Sequence, residues 1–272
     1  MKTANMLDPV SGNPFDAYSH LADRFMFSLG APSYVWKGGY AENVEKLSSV
    51  FNVIQLLVFE PFDDSYDIVS ELEELERLKR TGLRYVLHLP LDSYFGGKNE
   101  NPLKTHLKVI EKVKRLDISK YILHVEKNGT DYDPLLASER IKQLIHDGGL
   151  KADDLCVEYL NESFDEIWKG IEAAGVSVCM DIGHVLHQGR DPVSTFDKYK
   201  ERIKIAHIHG SKGKDHRPLS AFPRETLKEI LGRFENAGSE FPVIIENHSV
   251  PEMLESLGVL DNISLKKVVV NK

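Results

Sequence analysis

The chain has 272 residues, 34 Lys and Arg against 42 Asp and Glu, and a formal net charge of −8. Hydrophobic residues make up 42% and charged residues 28%, the balance of a globular chain rather than a disordered one. The acidic balance argues against a dedicated nucleic-acid binder. No stretch approaches a membrane span, and the first 25 residues lack the apolar core of a secretory signal. Two cysteines cannot staple a chain of this length and suit a reducing compartment, so a cytoplasmic protein is expected.

Residues 1–24 read as an N-terminal extension, and 25–272 as one catalytic domain. From there short apolar runs alternate with amphipathic stretches. The runs are FMFSLG (25–30), VIQLLVFE (53–60), YVLHLP (85–90), YILHVE (121–126), LCVEYL (155–160), SVCMDIG (177–183), IKIAHIHG (203–210) and FPVIIENH (241–248). Each reads as a buried parallel strand. Apolar residues at helical spacing predict helices over 42–51, 68–78, 104–116, 138–146, 163–174, 195–200, 224–237 and 251–257. Eight strands alternating with eight helices predict an α/β fold, a single-domain (β/α)8 TIM barrel. An open doubly wound sheet is the alternative.

The chemistry lies at the strand ends. Seven of the eight runs carry an ionisable residue near the C-terminal end: Glu60, His88, His124, Glu158, Asp181, His207 and Glu246. The first run offers only Ser28. Strand side chains alternate, so His88 shares a face with Val86, His124 with Ile122, Glu158 with Cys156, Asp181 with Cys179, His207 with Ile205 and Glu246 with Ile244. If the lower residues fill the barrel, the upper ones converge at its mouth. Converging carboxylates repel one another unless a cation joins them. Mixed nitrogen and oxygen donors favour Zn first, with Mn or Fe as further candidates.

Asp181-Ile-Gly-His184 is the sharpest local motif, with Gly183 allowing a tight turn. His207-Ile-His209 puts two imidazoles on one strand face; one suits a ligand and the other a substrate contact. Asp215-His216-Arg217 follows in a loop, and Asp215 and His216 can face one ion only if the chain turns there. Cys156 and Cys179 read as small fillers of one barrel layer. Glu60 could bind substrate, act as a base or pair with a loop arginine. Lys127, Lys212 and Arg217, with Arg190 and Lys214, could receive an anion. HLPLDSYFGG (88–97) reads as a substrate loop with a Gly-Gly hinge.

The order His, His, Glu, Asp-x-x-His, His, Asp-His, Glu resembles the xylose isomerase-like barrel superfamily, which includes sugar isomerases and epimerases and the AP endonuclease 2 group. The resemblance covers Phe25 to about Leu260. It implies divalent metal ions, about one to three per chain. His88, His124 and Glu158 would hold the first. Glu158, Asp181, His207 and Glu246 would hold the second. His184 with Asp215 and His216 would hold a third, although the family pattern there is Asp-x-His and His209 could substitute. In the one-metal epimerases the positions of Glu158 and Glu246 exchange the proton beside a carbonyl, which makes these two the catalytic candidates. FSLGAPSYV (27–35), NVEKLSSVFNVIQLLVFE (43–60) and HLPLD (88–92) resemble a cobamide-remodelling phosphodiesterase branch. The expectation is a metal-dependent phosphodiester hydrolase for a small molecule, with a one-metal sugar or inositol isomerase or epimerase as the alternative.

Overall fold

The computed structural model describes residues 12–58, 68–80, 82–91, 93–99, 101–127 and 131–265. Eight parallel strands close into a barrel in chain order. They are β1 (Ser28–Pro32), β2 (Val53–Leu57), β3 (Arg84–His88), β4 (Tyr121–Leu123), β5 (Leu155–Glu158), β6 (Ser177–Asp181), β7 (Ile203–Ile208) and β8 (Pro242–Ile245). The barrel shuts where β1 pairs with β8 through Leu29 and Val243. Apart from Arg84, Tyr121 and Lys204, every strand residue is buried. Near-continuous apolar runs therefore become strands covered on both faces, by helices outside and by packed side chains inside.

The helices are α1 (Tyr40–Leu47), α2 (Leu72–Lys79), α3 (Leu103–Val113), α4 (Pro134–Gly148), α5 (Phe164–Ile171), α6 (Ile182–His187), α7 (Pro192–Tyr199), α8 (Arg224–Ala237) and α9 (Val250–Asp261). The buried stripe on α5, Phe164, Ile167, Trp168 and Ile171, follows its sequence periodicity. Two helices depart from the expectation for local reasons. Asp181 accepts the His184 N–H at 2.8 Å and starts the unpredicted α6 at the strand end. Asp191 accepts from Val193 and Ser194, with Pro192 in the first turn, and so starts α7 ahead of the predicted residue 195.

Inside the barrel, Val53, Val86, Ile122, Cys156, Cys179, Ile205 and Ile244 form their own buried cluster, each fully enclosed. This is the floor beneath the strand-end residues. Both cysteines belong to it as free thiols.

Residues 12–24 pack at the opposite face. Arg24 donates to the Asp261 and Ile263 carbonyls at the end of α9. Asn13 donates to the Lys46 carbonyl near the end of α1. Helices run antiparallel to the strands here, so helix C-termini mark the side away from the strand ends. The described part of the N-terminal segment thus buries Phe15 and Leu21 beneath the barrel and leaves its mouth clear.

The loop after β3 is tied to α4 at Gly96-Gly97. Arg140 donates to the Phe95 carbonyl at 2.9 Å and the Gly97 carbonyl at 2.7 Å. A Cβ on Gly96 would lie 2.4 Å from the Tyr132 ring, so close packing accounts for that glycine. Among the described residues no helix is long and apolar enough to cross a membrane.

Candidate metal centre

Strands β3 to β8 each lift a polar residue one layer above the apolar floor. His88 stands above Val86, Glu158 above Cys156, Asp181 above Cys179 and His207 above Ile205. His124 and Glu246 follow directly after β4 and β8, above Ile122 and Ile244. All six are buried or nearly so, and Asp181 and His207 are fully enclosed.

Glu158 is the centre of this array. His88 Nε2 lies 3.0 Å and His124 Nε2 2.8 Å from its Oε2. Its other oxygen, Oε1, lies 3.1 Å from His207 Nδ1. One carboxylate therefore faces two clusters with two different oxygens. On the far side His207 Nδ1 is 3.3 Å from Glu246 Oε1 and 3.8 Å from Asp181 Oδ2.

A second group forms where α6 meets the loop after β7. His184 Nδ1 lies 3.0 Å from Asp215 Oδ2, and His209 lies 3.2 Å from Asp181 Oδ1 and 3.4 Å from Asp215 Oδ1. The chain does turn at His216, which adopts φ +50°. That left-handed turn is sparsely populated for a non-glycine residue. It places His216 with its ring centroid 4.3 Å from that of His209. Gly210 and Arg217 close the loop by exchanging backbone hydrogen bonds of 2.7 and 2.9 Å. His207 and His209, although two residues apart, thus serve different clusters.

Three sets of donor atoms gather within 4.8 Å in these positions: His88, His124 and Glu158; Glu158, Asp181, His207 and Glu246; and His184, His209, Asp215 and His216. Cys179 also lies close to Glu158 and His207. Burial, then the Glu158 charge, pushes its thiol well above the ordinary range, so it stays a neutral filler.

The residues fit divalent ions. His88 Nδ1 lies 2.8 Å from the Leu89 carbonyl, which can accept only from a protonated Nδ1. In the neutral ring Nε2 then carries a lone pair toward Glu158, and two acceptors at 3.0 Å need a proton or a cation between them. Asp181 Oδ2, His207 Nε2, His209 Nε2 and His216 Nδ1 are buried without hydrogen-bond partners. Burial opposes charge on Asp181, His207 and His209, and pairing outweighs it. Asp181 and Asp215 raise His184 to about 10, while Glu246 and Glu158 raise His207 to about 9. His207 and His124 in turn hold the buried Glu158 well below the usual carboxylate range. Protons here take the place that a divalent ion could fill.

Above these groups lies a cavity of about 290 Å³. Its walls include several residues the strand-end reading passed over. Tyr34, after β1, has a phenol held neutral by burial and by the carboxylates of Glu246, Glu158 and Asp181. His248 stands beside it, ring centroids 5.4 Å apart. Leu57 and Leu91 complete the apolar side. Gln55, fully enclosed on β2, donates to Glu246 Oε1 at 2.7 Å. Asn247 donates to the Arg217 carbonyl at 3.2 Å and accepts from Ser256 at 2.6 Å, tying the His216 loop to α9. A polar residue at the parity of Val53 was the available signal for Gln55. Nothing in the spacing marks Tyr34.

The predicted anion contacts stand outside the cavity lining. Lys127 pairs with Glu166. Arg217 is 46% exposed and lies 3.5 Å from Glu252. Lys212 is exposed in the loop after β7. Glu60 lies outside the described residues.

No family model and no curated relative matches the sequence. Solved structures do. A sugar phosphate isomerase/epimerase from Parabacteroides distasonis superposes with a TM-score of 0.65 at 14% identity, over 87% of this chain and 98% of that one. A probable 3-DHS dehydratase, AsbF, from Bacillus anthracis gives 0.66 at 13%, over 88% and 100%. A D-psicose 3-epimerase from Clostridium cellulolyticum H10 gives 0.62 at 12%, over 86% and 97%. At such identities the likeness speaks for architecture: the chain is a single-domain α/β protein with the xylose isomerase-like (β/α)8 barrel fold.

Proposed function

We propose that the chain is a metal-dependent phosphodiester hydrolase acting on a small molecule. One observation carries the reading: Glu158 turns its two oxygens to two separate ligand clusters. A bridging carboxylate of this kind suits adjacent ions; in a one-metal site His88 and His124, which line the cavity, would contact substrate instead. His88, His124 and Glu158 would hold the first ion. Glu158, Asp181, His207 and Glu246 would hold the second. His184 and Asp215, with His209 or His216, would hold a third. Bound ions would supply Lewis-acid polarisation and neutralise charge on a phosphoryl group.

The remaining work falls to side chains. Gln55 fixes the Glu246 carboxylate, and the neutral Tyr34 phenol donates toward an oxygen of the substrate. Leu57 and Leu91 exclude water from one wall. A cavity of about 290 Å³ and a net charge of −8 favour a small substrate over a nucleic acid. The sequence likeness to cobamide-remodelling enzymes makes the phosphodiester of a cobamide nucleotide loop the first substrate to assay. His88→Ala should abolish hydrolysis with the fold intact; full activity in that variant overturns the assignment.

A second reading is favoured by the solved structures named above, which include an isomerase/epimerase and an epimerase. The group Glu158, Asp181, His207 and Glu246 could serve one ion, with Glu158 and Glu246 moving a proton on either side of a sugar carbon. That reading predicts solvent exchange at a substrate carbon and its loss on Glu158→Gln or Glu246→Gln.

A further inference from the structure

A second cavity, of about 310 Å³, lies beside the metal centre. Leu91 lines both cavities and forms the partition between them. It is 36% exposed, in a fold where few large apolar side chains reach the surface among the described residues.

The wall of the second cavity is braced. His106, on α3, is 1% exposed, and both its ring nitrogens are engaged. One lies 2.8 Å from the Pro102 carbonyl and the other 3.0 Å from Ser93 Oγ. Ser93 in turn lies 2.8 Å from the Leu91 carbonyl and 3.1 Å from that of Pro90. The Phe95 ring packs edge-on against His106, and Ser93 O accepts from Glu126 N at 2.9 Å. His106 thus clips the loop after β3 onto α3, and the cavity is preformed.

The lining combines flat apolar faces with a polar edge. Pro90, Leu91, Pro102 and the Tyr94 ring supply the faces, and Asn101 and Thr105 supply hydrogen-bonding groups. This is the chemistry that holds a planar heteroaromatic ring: apolar contact on its faces and hydrogen bonds to its rim.

We infer that the second cavity is a subsite for a heteroaromatic ring joined to the reacting group, so that the substrate crosses Leu91 from the metal centre. The identity of the reacting group rests on the hydrolase reading; the subsite rests on the cavity. A binding arm and a kinetic arm separate the two. In the binding arm, adenosine 5′-monophosphate is titrated by calorimetry into the metal-loaded protein, Thr105→Trp and Thr105→Val. Thr105 is half-buried on α3, and an indole there fills the cavity. Binding should weaken at least tenfold in Thr105→Trp and several-fold in Thr105→Val, which removes only the hydroxyl. No binding by the native protein, or equal binding by all three, overturns the subsite.

In the kinetic arm, thymidine 5′-(p-nitrophenyl phosphate) is compared with bis(p-nitrophenyl) phosphate. Thr105→Trp should raise KM for the nucleotide at least tenfold and leave the smaller diester unchanged. An equal change for both overturns the subsite. Failure of the native protein to hydrolyse either diester counts against the hydrolase reading, and the binding arm then decides the subsite alone.

Discussion

Gln55 on β2 and Glu246 at the end of β8 are joined by a 2.7 Å hydrogen bond in the enclosed centre of the barrel. The amide donates to Oε1 and leaves the other carboxylate oxygen, Oε2, toward the His216 side, 3.8 Å from its Nδ1. A ligand held from behind in this way presents one fixed oxygen to an ion. Gln55→Leu keeps similar bulk and removes the donor. It should leave the barrel folded and weaken metal binding about 10- to 100-fold, the range seen for outer-shell partners. Competition against a chromophoric chelator measures this, and native affinity in the variant shows that Gln55 is only filling space.

Gly183 sits under His209. A Cβ there would lie 2.1 Å from the imidazole ring, which is itself fully buried. Gly183→Ala must push His209 away from Asp181 and Asp215. Overpacking of this kind costs about 1–3 kcal/mol, and the third ligand group should lose its ion. Thermal unfolding and metal analysis of the variant check both parts. An unchanged metal content would leave His216 as the sufficient imidazole of that group.

Barrel closure and the polar layer were legible because strand side chains alternate. Val86 and His88, Cys156 and Glu158, and Ile205 and His207 stack in the expected order, since burial on both faces leaves no freedom of register. Side chains arriving from loops were legible only in part. Tyr34 reaches the cavity through the chain path after Pro32, and no periodicity encodes that path. The third group depended on a single backbone angle, φ +50° at His216, which Asp215-His216-Arg217 does not announce. The packing of Gly96 against the Tyr132 ring was not legible either, because a glycine demanded by a packed ring looks, in sequence, like one demanded by a turn alone.

His106 gives a pH signature in stability. Burial, larger than the opposing hydrogen bonds, holds its imidazole below the ordinary 6.5. The unfolded chain therefore binds a proton at this position first, and this contribution to stability is lost as pH falls below that value. Several other buried histidines shift upward, with the opposite sign, so the comparison must isolate one residue. His106→Gln should be less stable than the native protein at pH 7.5, and the gap should narrow by pH 5.5. Urea unfolding at both values measures it, and a gap that widens contradicts the assignment.

Cys156 and Cys179 are both fully buried in the barrel floor. Burial raises the Cys156 thiol to about 12. Neither should react with a thiol reagent in the native protein, and both should react at once in denaturant. Modification of the native chain faster than it unfolds would mean that the floor opens.

Metal stoichiometry bears most directly on the shared carboxylate of Glu158. Elemental mass spectrometry of protein purified without chelator should find two or three Zn, Mn or Fe ions per chain. A paired His88→Ala and His124→Ala variant should lose one of them and remain folded. A single ion per chain in the native protein, retained in that variant, would contradict the account and assign the centre to one-metal chemistry.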